Sequence, residues 1–250
     1  MTSKRFAFVS LAAFMIMSGF VTPASAQIFD DPENLQALPK DITPEQLRST
    51  MRSFATSTGS RCSTCHVYED EADLSSYDFA ADEKQKKLTA REMIRMVSDI
   101  NSKVSEIQAK PSAELVAVTC ATCHRNQEKP RMLPDVIQQA YLEEGLEGAM
   151  AQYRELREQY YGGYEFDFSP GSLQEIAERL AAASDFPAAL AMLDLNLEFH
   201  PDFAPGYGMK AEVQMRSGDK EAARESLLKA IEIAPEEPWY KMMLQRLDAS

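Results

Sequence analysis

Two short strings hold most of the residues in this 250-residue chain that could do chemistry: Cys62-Ser63-Thr64-Cys65-His66 and Cys120-Ala121-Thr122-Cys123-His124. They contain all four cysteines and two of the three histidines. Each reads C-x-x-C-H, in which two thiols add across the vinyl groups of a haem as thioethers and the next residue offers an imidazole to the iron. Three other uses of such cysteines compete: a redox dithiol, a four-cysteine zinc site and plain disulfides. With 3 His in 250 positions, a His directly after both pairs arises by chance about once in 7,000. A redox C-x-x-C also belongs in a βαβ setting, and nothing in the chain reads as strand. The spacing therefore predicts two covalent haem c groups, attached through Cys62, Cys65, Cys120 and Cys123, with His66 and His124 as proximal iron ligands.

Only His200 remains as a spare imidazole, and it precedes Pro201 at the end of a helix, where packing or surface roles are the simpler reading. At least one distal ligand must then be something else, and Met is usual at an electron-transfer haem. The helices ahead of the motifs supply it. Thr43-Pro44-Glu45-Gln46 is a capping box with Pro at the first helical position, and Leu47, Met51 and Phe54 follow on one face, with Gly59 as a stop. Thr89-Ala90-Arg91-Glu92 reads as a second capping box, followed by Met93, Val97, Ile100, Val104 and Ile107 at helical spacing. Methionines at such spacing usually fill a core. Two irons in need of ligands favour Met51 for the first haem, and Met93 over Met96 for the second. Met132 is a rival, but its short loop from His124 makes the opposite haem face awkward to reach.

These residues, Leu47-Arg48-Ser49-Thr50-Met51, Cys62 to Val67, Ala90 to Met96, Ile100-Asn101 and Thr119 to Arg125, resemble the cytochrome c subunit of photosynthetic reaction centres over roughly residues 32–134. In that family the distal Met lies on the helix before its C-x-x-C-H. The resemblance implies Met51 as the distal ligand of the first haem and Met93 as that of the second. Members at photosystems hold four haems and re-reduce the photo-oxidised bacteriochlorophyll pair. This chain has two motifs, as do shorter relatives in bacteria that do no photosynthesis.

From Leu133 onward the sequence reads as helices joined by short turns. Pro201 and Pro235 lie 34 residues apart, as do Ala189 and Ala223, Leu193 and Leu227, and Ala177 and Ala211. That is the period of tetratricopeptide repeats. Ala149 and Tyr153 look like the same positions in an earlier, degenerate unit, with the Gly162–Gly171 stretch absorbing the insertion, and Pro238 to Leu247 reads as a capping helix. Such a module serves either as a protein-docking surface or as a structural lid.

Lys4 and Arg5, the apolar run Phe6 to Phe20 and Ala24-Ser25-Ala26 form a secretory signal with cleavage expected before Gln27. Residues 1–26 carry two cations and no anions, so cleavage takes the net charge from −13 to −15. No other stretch could span a bilayer. An acidic chain with 26 Lys and Arg against 39 Asp and Glu is excluded from nucleic-acid binding, while 44% hydrophobic and 26% charged residues exclude a disordered or fibrous chain.

The expectation is an all-α, periplasmic protein: a signal peptide over 1–26, a dihaem cytochrome c domain over 27–134 and tetratricopeptide-like helical repeats over 135–250. Its role would be one-electron transfer with redox protein partners, either a basic small cytochrome or a membrane redox complex, and not an enzymatic one. A dihaem peroxidase with one open haem and a repeat-based scaffold stapled by haem are the alternatives.

Overall fold

The computed structural model describes residues 28–108 and 116–249. The expected signal segment, 1–26, lies outside them. The described residues fall into two compact units, one reaching residue 51 and continuing over 62–95, the other made of 52–61 and 96 onward.

Helix α1, Pro44–Thr58, begins at the expected capping box. Thr43 Oγ1 accepts from the Gln46 N–H at 3.3 Å, and Gln46 Oε1 accepts from the Thr43 N–H at 3.0 Å. Leu47 points inward at 5% exposure. The helix ends at Gly59, whose φ of +64° lets the Ser60 N–H turn back to the Ala55 carbonyl at 3.1 Å. A single turn, α2, covers Cys62–Cys65.

After it comes a feature with no trace in the sequence pattern, an antiparallel ladder of β1, Val67–Tyr68, and β2, Tyr77–Asp78. Val67 faces Asp78 and Tyr68 faces Tyr77. Two residues apiece are too few to show strand alternation. The ladder is supported by rings, Tyr68 stacking on Tyr77 at 5.2 Å and Tyr77 on Phe79 at 5.5 Å. The acidic loop between the strands is exposed, and Asp73 caps its 3-10 turn, Leu74–Ser76.

Helix α3, Gln85–Gln108, starts a turn earlier than the Thr89 capping box predicts, so Thr89 lies inside the helix and caps nothing. The cause is tertiary. Lys87 is buried, and its ammonium donates to the Phe79, Ala80 and Ala81 carbonyls at 2.9, 3.0 and 2.7 Å, pinning the first turn. Buried Arg91 donates to the Asn34 carbonyl at 3.2 Å. Asp82 pairs with Lys87 at 3.1 Å and Arg91 at 2.8 Å. The inward side of the first turns is thus cationic, and of the expected apolar stripe Met93, Ile100 and Ile107 are exposed.

In the second unit, α4 covers Cys120–His124 and α5 covers Leu133–Tyr160. Gly145, at φ +75° and ψ −169°, breaks α5 into two helical stretches, a backbone conformation open essentially to glycine alone. Then follow α6 (Pro170–Ala182), α7 (Phe186–Phe199), α8 (Ala204–Ser217), α9 (Lys220–Ile233) and α10 (Pro238–Asp248). The first helices of the units start at 170, 204 and 238 and the second helices at 186 and 220, so every start recurs after 34 residues. The caps repeat too: Asp185 accepts from the Ala188 N–H at 3.2 Å and Asp219 from the Ala222 N–H at 3.0 Å.

Ala177, Ala189, Leu193, Ala211, Ala223 and Leu227 are all fully buried, as small and apolar residues must be where paired helices approach closely. Ala149 and Tyr153 are buried in the same way on the second half of α5, which makes α5 the two helices of the degenerate unit. The described residues thus form an all-α protein with one two-residue ladder, ending in a tetratricopeptide-like repeat region.

Candidate haem-binding site

Each C-x-x-C-H begins with one helical turn that sets its two thiols and its imidazole on consecutive positions. In the first motif the His66 N–H donates to the Cys62 carbonyl at 3.0 Å, which extends the turn through the histidine. The turn is held from outside by Lys84, whose ammonium donates to the Ser63 carbonyl and lies 4.8 Å from the Tyr68 ring, and by the Ser63 hydroxyl, which donates to Glu71 at 2.7 Å. The His66 imidazole meets Phe79 edge-on at 5.0 Å, and its Nδ1 is buried without a hydrogen-bond partner. Burial, followed by the positive charge of Lys87, lowers its pKa to about 4, against a weaker upward pull from the Phe79 carbonyl. The ring is therefore neutral at pH 7, the form that can donate a lone pair to a metal.

The second motif is built differently. The Thr122 hydroxyl accepts from the Thr119 N–H at 3.0 Å at the start of α4. Asn101, on α3, fixes the approach to it by a two-way bond with Val118: its amide donates to the Val118 carbonyl at 2.9 Å and its oxygen accepts from the Val118 N–H at 2.8 Å. The turn closes through Arg125, at φ +47°, whose N–H donates to the Ala121 carbonyl at 3.2 Å. His124 Nδ1 lies 2.9 Å from the Gln127 carbonyl oxygen. A carbonyl only accepts, so Nδ1 is the donor in this bond and Nε2 is the nitrogen left to face iron.

No disulfide links the four cysteines. Burial pushes the Cys120 thiol pKa up, whereas a reactive redox cysteine needs it lowered. Among the described residues no three His, Cys, Asp or Glu side chains gather to hold a metal ion by themselves. Each dithiol stands instead with a single imidazole, the donor set that haem c requires. The expected methionines lie on the preceding helices: Met51 half-buried on α1, Met93 and Met96 on α3 at 39% and 45% exposure. Met132 is exposed just ahead of α5, and His200 Nε2 is engaged 3.1 Å from the Phe168 carbonyl.

The residues fit the group in bulk as well as in donors. Between residues 28 and 132, Leu47 is the one apolar side chain among the described residues that is buried, while Met93, Met96 and Ile100 line an uncovered stripe of α3. A macrocycle would supply the apolar area that these helices do not find in one another.

Lys87, Asn126 and Gln127 stand in no motif of the sequence, and Asn101 enters only within the family resemblance. Asn126 takes φ +62°, a conformation Asn tolerates better than most residues.

No curated protein matches the chain. Among solved structures, the first tetratricopeptide-repeat domain of Spaghetti bound to an HSP90 peptide is similar at 13% identity, covering 47% of this chain and 88% of that one, with a TM-score of 0.33. The type III secretion translocator chaperone SycD of Yersinia enterocolitica is similar at 13% identity over 58% of this chain and 93% of that one, with a TM-score of 0.31. MamA from Desulfovibrio magneticus is similar at 16% identity over 47% and 82%, with a TM-score of 0.23. The period of 34 and its buried positions carry the repeat assignment without them. For the region that holds both motifs the finding is firmer, since the model of the photosynthetic reaction centre cytochrome C subunit matches residues 21–162. That match spans more than half of the sequence, and the chain belongs to the photosynthetic reaction centre cytochrome C subunit family.

Proposed function

We propose that the protein is a periplasmic dihaem cytochrome c that relays single electrons between redox proteins. Residues 27–134 form the haem-binding domain and 135–250 the repeat domain. Cys62, Cys65 and His66 hold one haem, and Cys120, Cys123 and His124 hold the other, with Met51 and Met93 as distal ligands. The observation that best supports this is the recurrence, in both motifs, of a one-turn dithiol followed directly by an imidazole, within the stretch that the family model matches. When bound, the haems would supply a one-electron Fe(II)/Fe(III) couple, which a Met thioether would shift toward Fe(II) and so to higher potential.

The chain's own residues do the rest. The cysteines fix each group covalently, so that no reductant or chelator strips it. The helical turns aim the imidazoles, and the helices α1 and α3 present soft thioethers. No bond in a substrate is made or broken: one electron enters from a reduced donor and one leaves to an oxidised acceptor. Among the described residues no helix is long and apolar enough to cross a membrane. The negative charge of the chain, −13 over the whole sequence, attracts a cationic partner at a distance. A basic small cytochrome or a membrane redox complex fits that field, and a photosynthetic reaction centre is the acceptor that the family suggests.

The test is spectroscopic. Both irons of the oxidised protein are expected to be low-spin, with a sulfur-to-iron band in the near infrared. Met51→Ala and Met93→Ala should each turn one haem high-spin and lower its potential, while Met96→Ala changes little. A native high-spin haem with peroxide-dependent turnover would instead establish the peroxidase.

A further inference from the structure

The tetrapeptide His124-Arg125-Asn126-Gln127 is more tightly determined than holding a histidine in place requires. Its backbone closes on itself, since the Gln127 N–H donates to the His124 carbonyl at 2.8 Å while the Gln127 carbonyl accepts from His124 Nδ1 at 2.9 Å. Arg125 and Asn126 both have positive φ, at +47° and +62°, a succession that persists only where the surroundings impose it. Those surroundings come from two distant parts of the sequence. The Asn126 N–H donates to the Ser57 carbonyl at 2.8 Å, and a Cβ on Gly59 would sit 2.3 Å from the Asn126 carbonyl oxygen, so the end of α1 presses directly on the turn. On the other side Asn126 Nδ2 donates to Glu165 Oε1 at 2.9 Å, and Gln127 Nε2 donates to the Glu165 carbonyl at 2.7 Å. Glu165 belongs to the segment that leads into α6 and the repeats.

We infer that Asn126 and Gln127 are positioning residues for the histidine of the second haem, and that through Glu165 they make the potential of that haem answer to the segment leading into the repeats. The chain of bonds is short. Glu165 holds the Gln127 side chain, this fixes where the Gln127 carbonyl points, and the carbonyl sets the strength of the bond from His124 Nδ1. A strong bond there makes the imidazole more basic at Nε2, a better donor to iron, and favours Fe(III). Loosening Glu165 or either amide weakens that bond, favours Fe(II), and raises the potential of one haem alone. His66 shares none of these partners, since the ring beside it is Phe79 and not this turn, so the first haem serves as the internal reference.

The inference rests on the dihaem reading, and the experiment separates the two. Full-length holoprotein is titrated electrochemically as wild type and as Gln127→Leu, Asn126→Gly and Glu165→Gln. Asn126→Gly keeps the positive φ and the backbone bond to Ser57 but removes the amide that reaches Glu165. Glu165→Gln keeps an oxygen that can accept from Asn126. Gln127→Leu and Asn126→Gly should each shift the reduction equilibrium of the second haem roughly threefold toward Fe(II), about 30 mV for a one-electron couple, with the first haem unmoved. Glu165→Gln should stay at the wild-type value. Two loaded haems with unshifted potentials, or equal shifts at both, would overturn the inference and leave the dihaem reading intact. Failure of both variants to load the second haem, with helicity retained, would also overturn it, because the turn would then serve attachment and not tuning. A wild-type protein that carries fewer than two haems would remove the reading beneath it.

Discussion

Among the described residues between 28 and 132, one apolar side chain, Leu47, is buried; from Leu133 onward the rows of buried residues continue through every helix to Leu247. The two stretches therefore hold their shape by different means. In the repeat region Leu193 and Leu227 fill the space between helices that Ala177, Ala189, Ala211 and Ala223 allow to approach. The region around the motifs relies on polar tethers: the Lys87 ammonium on three carbonyls, Arg91 on Asn34, Asn101 on Val118 and the Asn126 turn. Each such bond is worth about 1 kcal/mol net, or about 1.5–3 where the donor is charged, and ordering the backbone of each residue costs about 1–2. Tethers of that kind position a chain well and stabilise it poorly. A region built so has room to gain from any group that brings its own apolar surface.

The largest effect should come from withholding that group. A variant with serine at all four cysteines is expected to lose amide-exchange protection over most of 28–132 while 133–249 keeps it. Loss of protection in both regions at once would break the contrast. Within the repeats, Leu193→Ala should cost about 2–5 kcal/mol, since the side chain is fully buried between helices, and leave both haem spectra unchanged. Gly145→Ala should cost about 1–3 kcal/mol in the same thermal or denaturant unfolding assay, because its φ of +75° with ψ of −169° excludes a side chain. An alanine there with wild-type stability would mean that the break in α5 is not fixed by the backbone.

Much of this was legible in the sequence, and the exceptions share a cause. The two C-x-x-C-H strings, the Thr43 cap and the 34-residue period are local patterns, each set by residues a few positions apart or by simple recurrence. Helix α3 starts ahead of its local signal because the Thr89 box is outweighed by Lys87, whose partners lie in a loop that no helical pattern includes. The β1–β2 ladder was invisible because it rests on stacked rings and two-residue strands. The turn after His124 was missed because its determinants, Ser57 and Glu165, are far away in sequence and polar, where hydrophobic patterning carries no information.

The smallest predicted effect concerns acid. Asp82 lies beside Arg91 and Lys87, with Asn34 also bonding to it, and these hold its carboxyl well below the usual carboxylate range. A group whose pKa is lower folded than unfolded contributes stability that is complete above its unfolded value, about 3.9, and is lost as the pH falls toward the folded one. Unfolding titrations should therefore show the wild type losing its advantage over Asp82→Asn below about pH 4 and keeping it at pH 7. A constant difference between the two across that range would show that the tether acts through shape and not through charge.

The most direct test of the account is the intact mass of the protein made in a host that has haem-attachment machinery. The account predicts the mass of the polypeptide cut before Gln27 plus two haem units, with both groups surviving denaturing electrophoresis and no thiol left to titrate. Four titratable thiols, a single haem or bound zinc would contradict it.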